Sequence, residues 1–590
     1  MDKPWRYSRS VEYLKSGMEI RTGLLTQLAQ NRSMENVIAS RETRPRAFPA
    51  LTEEQIDRIR PLGSIRQVRS GDILIKPGDT VIPFYVLLSG RMEIVQPSLD
   101  GERMIALHEP GGFTGEMTML SGARSQVIGR VSEGGEFLEL SPENLRVLVA
   151  RDTELSEILM RAFILRRLEM IRQGWGTLVV LGSQHSARTL EIREFLSRNA
   201  QPYTYVDLDR DQTSQELLDR FEVKPRDVPV VVCPGRGVLR SPSVRDLAAG
   251  LGLSVLSGGK QIRDVIIVGA GPAGLAAAVY AASEGLDVLL IETSSPGGQA
   301  ASSSKIENYL GFPTGISGQE LAGRAASQAL KFGAQIVVAR SVLRLACERR
   351  PYTVKLDGGE ELAARTIVIA TGAQYNKPAL PNLERFEGNG VYYGATYMES
   401  QLCTGEEVAV VGGGNSAGQA AAFLAQTASR VHMLVRAAEL SSTMSRYLIQ
   451  RLEENPKVDL HYQTEISGLD GEDHLERLTW RDRATGAESE HAIRHLFIMT
   501  GASPRTEWLK GCLALDQKGF ILTGRDLDTA GSGDGNPRWP LDRAPEMLET
   551  SLPGVYAVGD VRAGNVKRVA SAVGEGAISI HLVHRALAEL

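Results

Sequence analysis

The sequence predicts a multidomain chain of α/β and β units whose second half contains two doubly wound dinucleotide-binding domains. Two glycine fingerprints carry that reading, Gly269-x-Gly271-x-x-Gly274 and Gly412-x-Gly414-x-x-Ala417, each set between an apolar strand and a small-residue helix. A third observation separates the first half: before residue 263 the pattern changes to short β runs with glycine turns, then to a strand, helix, strand alternation.

The first fingerprint follows the apolar run Val265-Ile266-Ile267-Val268 and opens a helix near Pro272. Gly269 permits the tight turn, Gly271 lets the backbone approach a pyrophosphate, and Gly274 permits close packing of helix on strand. Glu292 ends the next strand, Val288-Leu289-Leu290-Ile291, near the spacing at which a carboxylate accepts from a ribose diol. The second unit repeats the scheme with Val408-Ala409-Val410-Val411, then Gly412, Gly414, Asn415, Ser416 and Ala417, then the strand His432-Met433-Leu434-Val435. Arg436 stands where the acid would be; it reads either as a ligand for a 2′-phosphate, favouring NADP over NAD, or as a solvated loop cation.

Two further strands end in small turns, Ile367 to Ala370 before Thr371-Gly372 and Phe497 to Met499 before Thr500-Gly501. A third, Gly554 to Val558, ends in Gly559-Asp560, which places a carboxylate at the carboxyl end of a parallel strand, where ligands of open sheets bind. The helix that follows, starting at Arg568-Val569-Ala570, would direct its N-terminal dipole at the same place.

These residues, with Gly297-Gly298-Gln299, Ile306-Glu307-Asn308-Tyr309, Ala370-Thr371-Gly372 and Gly390-Val391-Tyr392-Tyr393, give residues 263 to 590 a resemblance to the low-molecular-weight thioredoxin reductases, which are pyridine nucleotide-disulfide oxidoreductases. The resemblance implies two Rossmann-like domains, one inserted in the other: an FAD-binding domain made of residues 263–378 and 503–590, and an NAD(P)-binding domain of residues 379–502 between those segments. It implies FAD and NADPH or NADH as cofactors, Gly298, Gln299, Asn308, Thr371, Gly372, Gly559, Asp560, Arg568, Val569 and Ala570 as flavin-site residues, and a homodimer. It also exposes a departure, because the family's Cys-Ala-Thr-Cys-Asp reads Gly394-Ala395-Thr396-Tyr397-Met398 here. Disulfide exchange needs a thiolate and a resolving thiol, and Gly394 and Tyr397 supply neither. Glu399 reads as a surface glutamate or, one residue displaced, as a substitute acid.

Residues 46–172 read as a small β-barrel or jelly roll with a terminal helix over Thr153 to Arg172. The stretch Phe113-Thr114-Gly115-Glu116-Met117 through Arg124-Ser125 resembles the phosphate cassette of cyclic nucleotide-binding domains, shortened between the acid and Arg124. By that resemblance Gly115, Glu116, Arg124 and Ser125 would hold a cyclic nucleotide; the alternative is a barrel kept for docking alone.

Residues 176–255 resemble a thioredoxin or glutaredoxin fold, with strands at Leu178 to Leu181, Tyr203 to Asp207 and Val228 to Val232, and helices at Thr189 to Asn199 and Gln215 to Phe221. The resemblance implies a cis bond before Pro229 and places a second dithiol station at Ser183-Gln184-His185-Ser186, again without sulfur. His185 reads as a loop histidine, and residues 1–45 as an N-terminal extension.

At 590 residues the chain is long enough for several cores, and a net charge of −5 gives no reason to expect nucleic-acid binding. The four cysteines, Cys233, Cys347, Cys403 and Cys512, contain no C-x-x-C pair, so the expectation is buried thiols in a reducing cytoplasm, with neither a disulfide framework nor a metal site. No apolar run is long enough to span a bilayer and the first 35 residues do not read as a signal peptide. Three functional readings stand open. The first is an NAD(P)H-dependent flavin oxidoreductase passing electrons to an external acceptor (a quinone, oxygen, a redox protein or a disulfide). The others are a non-catalytic flavin and cyclic nucleotide sensor, and a thioredoxin-disulfide reductase using Cys403 or partner thiols.

Overall fold

The computed structural model describes residues 47–79, 81–98, 101–115, 125, 127–172, 178–184, 186–209, 227–233, 237–256, 261–303, 305–472, 474–529 and 539–589. The first unit begins with helix α1 (Glu53–Ile59), whose N-cap Thr52 exchanges reciprocal side-chain and backbone bonds with Gln55. Its strands are β1 (Ser64–Val68), β2 (Ile73–Ile75), β3 (Phe84–Leu87), β4 (Arg91–Ser98), β5 (Gly101–His108), β6 (Ile128–Glu133) and β7 (Gly135–Leu140). They form two sheets, in the orders β1-β7-β3 and β2-β6-β4-β5, so among the described residues the unit is a two-sheet jelly roll and not a closed barrel. Phe84, Phe113 and Phe137 fill its core, joined by Phe163 from the long helix α3 (Thr153–Arg172), which follows α2 (Pro142–Arg151).

The second unit has β8 (Leu178–Gly182), α4 (Ala187–Arg198), β9 (Tyr203–Asp207), β10 (Val230–Cys233), β11 (Gly237–Arg240) and α5 (Val244–Leu251). Its order is β11-β10-β8-β9, with β8 and β9 parallel and β10 antiparallel to β8. The Val228–Pro229 bond is cis, as expected. The expected helix Gln215 to Phe221 and His185 lie outside the described residues. Val338 and Ala339 of the following domain enter this unit's core beside Ile192, Phe195 and Leu247, so the two share apolar surface.

The third unit is a seven-stranded sheet built from β12 (Arg263–Val268), β13 (Val288–Ile291), β14 (Gln335–Val337), β15 (Val342–Ala346), β16 (Tyr352–Leu356), β17 (Glu361–Ile369) and, late in the chain, β28 (Val555–Ala557). Strands β14, β13, β12, β17 and β28 pair in parallel. On β12 the two-residue period divides the apolar run: Val265 and Ile267 enter the core under helices α6 (Pro272–Ser283) and α11 (Val569–Ala588), while Ile266 and Val268 enter the core on the other face. Helix α7 (Gly318–Lys331) completes the layer.

A two-stranded ribbon, β18 (Ala373–Tyr375) with β27 (Ala502–Pro504), carries the chain to and from the inserted domain. That domain has β19 (Val391–Tyr392), β20 (Glu407–Val411), β21 (Arg430–Val435), β22 (Val458–Tyr462) and β26 (His495–Ile498) in a parallel sheet of order β19-β26-β20-β21-β22. Helices α8 (Tyr397–Leu402), α9 (Asn415–Leu424) and α10 (Arg446–Glu453) and a meander of β23 (Thr464–Asp470), β24 (Arg477–Asp482) and β25 (Glu488–His491) accompany it. Val408 and Val410 face one core and Ala409 and Val411 the other, repeating the partition seen on β12.

The expectation of four free thiols is corrected. Cys347 and Cys512 form a disulfide, with S–S 2.11 Å and Cα atoms 5.8 Å apart, while Cys233 and Cys403 are buried thiols outside any disulfide. The bonded pair is 165 residues apart in sequence, and only the packing of the segment after Leu509 against the end of β15 brings the sulfurs together. No helix among the described residues is long and apolar enough to cross a membrane.

Candidate functional site

The first fingerprint turns at the carboxyl end of β12. Gly269 has φ +104°, and a Cβ there would meet the Ala370 carbonyl oxygen at 2.3 Å. A Cβ on Gly274 would lie 1.9 Å from the Gly269 carbonyl oxygen, so helix and turn touch backbone to backbone. Gly271, by contrast, faces open space, the condition for a phosphate to approach its backbone. Glu292 accepts from the Ala270 amide at 2.7 Å and from the Ser294 amide at 3.0 Å, which fixes its carboxylate at the rim of the turn. In the second fingerprint a Cβ on Gly412 would meet the Met499 carbonyl oxygen at 2.5 Å, and Gly414 faces open space.

Helices α6, α9 and α11 start at Gly271, Gly414 and Arg568 without a side-chain cap. Helices α2, α4, α5 and α7 are each closed by a serine hydroxyl, from Ser141, Ser186, Ser243 and Ser317. Uncapped amides at the fingerprints and at the α11 start leave donors and positive helix ends free for an anionic or electron-rich ligand.

One cavity of 1240 Å³ joins these features. Its walls include Gly269, Gly271, Glu292, Gly298, Gln299, Asn308, Thr371, Gly372, Gly559, Asp560, Arg568 and Val569 from the first nucleotide domain, together with Asn415 and Ser416 from the second. Gly274, Ala570, Gly412, Gly414 and Ala417 do not line it; they shape the turns and helix starts behind or beside it. Burial holds the Asp560 carboxyl above the usual range, against the pull of Lys567. Tyr375 on the ribbon hydrogen-bonds Ser416, and Arg451 on α10 pairs with Glu307 at 3.1 Å, so both domains meet at the cavity.

Gly394 and Glu399 lie on the same wall. The reading of Glu399 as a surface glutamate is corrected: its carboxylate is partly buried, accepts from the Thr396 amide at 2.8 Å and bonds the Thr396 hydroxyl. Burial pushes its pKa up, the Thr396 hydroxyl opposes this, and the nearby charge of Glu194 adds to the rise. A Cβ on Gly394 would sit 3.2 Å from the Ser302 Cβ. Arg436 is exposed at the end of β21, outside the cavity, where Arg483 donates to its carbonyl at 3.2 Å.

Sequence reasoning did not reach several cavity residues. Arg340, 6% exposed, donates to Asp357 and Glu360 behind Glu292. Glu194 and Arg198 come from α4 of the second unit, and Arg198 donates to the Gly298 carbonyl at 2.9 Å. Nothing local in the sequence marks a helix of one domain as the wall of another's cavity. At the expected second dithiol station Ser183 donates to Asp209 at 2.6 Å and Ser186 caps α4.

In the jelly roll, Gly115 has φ +120° and Ser125 is buried, its hydroxyl donating to the Val127 carbonyl at 3.2 Å. Glu116 and Arg124 lie outside the described residues. Arg166 of α3 donates to the Gly115 carbonyl at 2.9 Å, tying the terminal helix to the cassette's first turn.

An inserted nucleotide domain joined by a two-stranded ribbon to a split one, with Gly269 and Gly271 of the first fingerprint and Asn415 and Ser416 of the second lining one cavity, defines a two-nucleotide oxidoreductase fold. The chain belongs to the pyridine nucleotide-disulphide oxidoreductase family, whose match spans residues 263–576, and residues 65–152 match the cyclic nucleotide-binding domain family. It is 32% identical over 332 residues to the thioredoxin reductase of Bacillus subtilis (strain 168), covering 56% of this chain and 96% of that protein. It is 33% identical to NADPH-dependent thioredoxin reductase 3 of Arabidopsis thaliana, covering 55% of this chain and 58% of the relative. Among solved structures, Lactococcus lactis thioredoxin reductase in its FR conformation is 28% identical over 56% of this chain and all of the other, with a TM-score of 0.49.

Proposed function

We propose that this chain is an FAD-dependent NAD(P)H oxidoreductase that delivers electrons to an external acceptor without a dithiol of its own. The observation that carries the reading is the cavity lined by Gly269 and Gly271 of the first fingerprint and by Asn415 and Ser416 of the second, with Gly394 on its wall. The residues fit a flavin dinucleotide: Gly271 leaves room for a pyrophosphate, Glu292 offers a carboxylate for a ribose, and the uncapped α11 start offers amides to a ring edge. When bound, FAD supplies hydride acceptance from a nicotinamide and onward electron transfer.

The protein's own groups then have distinct tasks. Asn415 and Ser416 would orient the second dinucleotide at the uncapped start of α9, with NADPH and NADH both open because Arg436 is exposed. Asp560 would accept from hydroxyls of the flavin's chain. Glu399, with its pKa raised, would hold a proton for the acceptor at the station the thiols left vacant. Arg198 and Glu194 close one wall against water. The buried Cys403, its thiol pushed up to about 12 mainly by desolvation, is a poor nucleophile, which argues against the reductase reading that relies on it. The jelly roll would add cyclic nucleotide control, and the family resemblance a homodimeric, cytoplasmic assembly.

The test is an anaerobic titration of the FAD-loaded protein with NADPH and NADH, each with and without cyclic AMP. Bleaching of the oxidised flavin band is expected. A flavin that neither nucleotide reduces would overturn the enzyme reading and favour a non-catalytic sensor.

A further inference from the structure

We propose that His432, Asp459 and His461 form a binding site for a divalent cation of the zinc class, on the inserted domain and outside the cavity. The three residues come from adjacent parallel strands, with His432 on β21 directly opposite Asp459 on β22 and His461 two positions further along. One donor atom from each lies within 4.8 Å of the other two. His432 Nδ1 is 3.1 Å from His461 Nε2 and 3.7 Å from the Asp459 carboxylate. Tetrahedral zinc with ligands near 2.0–2.1 Å requires donors about 3.3 Å apart, so the three atoms already outline one face of such a site. A water would complete it.

The surroundings prepare the ligands. Glu407 faces His432 Nε2 at 3.2 Å, and because a carboxylate only accepts, that nitrogen carries the proton and Nδ1 turns its lone pair toward His461. This is a carboxylate, imidazole and metal order. Trp480 of β24 packs over both imidazoles, with ring centroids 5.6 and 5.3 Å away, and gives the site an apolar cover. His432 is only 12% exposed. Arg430 pairs with Asp459 at 2.7 Å and opposes a cation, but Glu407 and Asp459 together outweigh its single charge.

The experiment uses tag-free, metal-depleted, FAD-loaded full-length protein, titrated with zinc chloride by calorimetry and separately with cobalt(II) followed by visible absorption. One equivalent of zinc is expected, with the d–d bands of four-coordinate cobalt in a nitrogen and oxygen field. His461→Asn should weaken zinc binding by more than about 10-fold, and Glu407→Gln, which loses only the orienting carboxylate, by roughly 10-fold. Absence of stoichiometric zinc binding to the wild type, or unchanged affinity in His461→Asn, would overturn the proposal. If His461→Asn loses its flavin or its fold, Asp459→Asn replaces it: Asp459 is 33% exposed, and unchanged zinc affinity in that variant is equally fatal.

Discussion

The guanidinium of Arg198 donates to the main-chain carbonyl of Gly298 at 2.9 Å, binding the last turn of α4 to a glycine turn of the cavity. The second unit thereby contributes to the site's wall. Arg198→Ala removes a charge-assisted bond and should cost about 1.5 kcal/mol of local stability. Hydrogen exchange at residues 297–302 should quicken while the jelly roll stays protected, and an unchanged exchange map would show that the contact holds nothing in place.

Gly274→Ala puts a methyl 1.9 Å from the Gly269 carbonyl oxygen, and the backbone must move to relieve it. Overpacking of this kind costs about 1–3 kcal/mol, and here it also displaces the turn that would receive the pyrophosphate. The variant should purify with less than half the wild-type flavin content, read from its absorbance ratio. Gly271→Ala meets nothing in the unliganded turn, so it should keep its thermal stability and lose flavin affinity alone.

Glu399 provides a pH test. Its pKa is raised in the folded protein, chiefly by burial, so the native state holds this proton more tightly than the unfolded chain does. Its contribution to stability is therefore fully present at low pH and is lost as pH rises from the ordinary carboxylate range through the raised value. Denaturant midpoints of Glu399→Gln should fall less steeply with pH over that window. Acceptor turnover in the same variant should fall more than hydride uptake does, because only the proton supply has changed, and the deficit should be greatest at low pH, where wild-type Glu399 carries its proton.

The cysteines separate into a bonded pair and two inert thiols. Non-reducing peptide mapping should recover Cys347 joined to Cys512, and Cys347→Ala should lower stability by about 2–4 kcal/mol, given the long loop closed. Cys403 should resist alkylation in the native protein at pH 8, and Cys403→Ser should leave flavin reduction unchanged.

Much of this molecule was legible along the chain. The order of strand, glycine turn, helix, strand and acid located Glu292 and both nucleotide turns, because hydrogen bonding and close packing act on neighbours within about thirty residues. The expectation that both thiol stations are replaced, at Gly394 and Tyr397 and at Ser183 and Ser186, likewise rests on the sequence alone. Spacing could not reveal contacts between segments far apart. The Cys347–Cys512 bond, the burial of Glu399 beside Glu194, the entry of Arg198 into the cavity and the meeting of His432 with Asp459 and His461 all arise when separate elements pack. Local sequence determined which backbone turns can receive nucleotides, since that depends on φ angles and missing Cβ atoms. Only the tertiary structure decided which side chains surround those turns, since burial and long-range proximity are set by how whole faces of helices and sheets exclude water together.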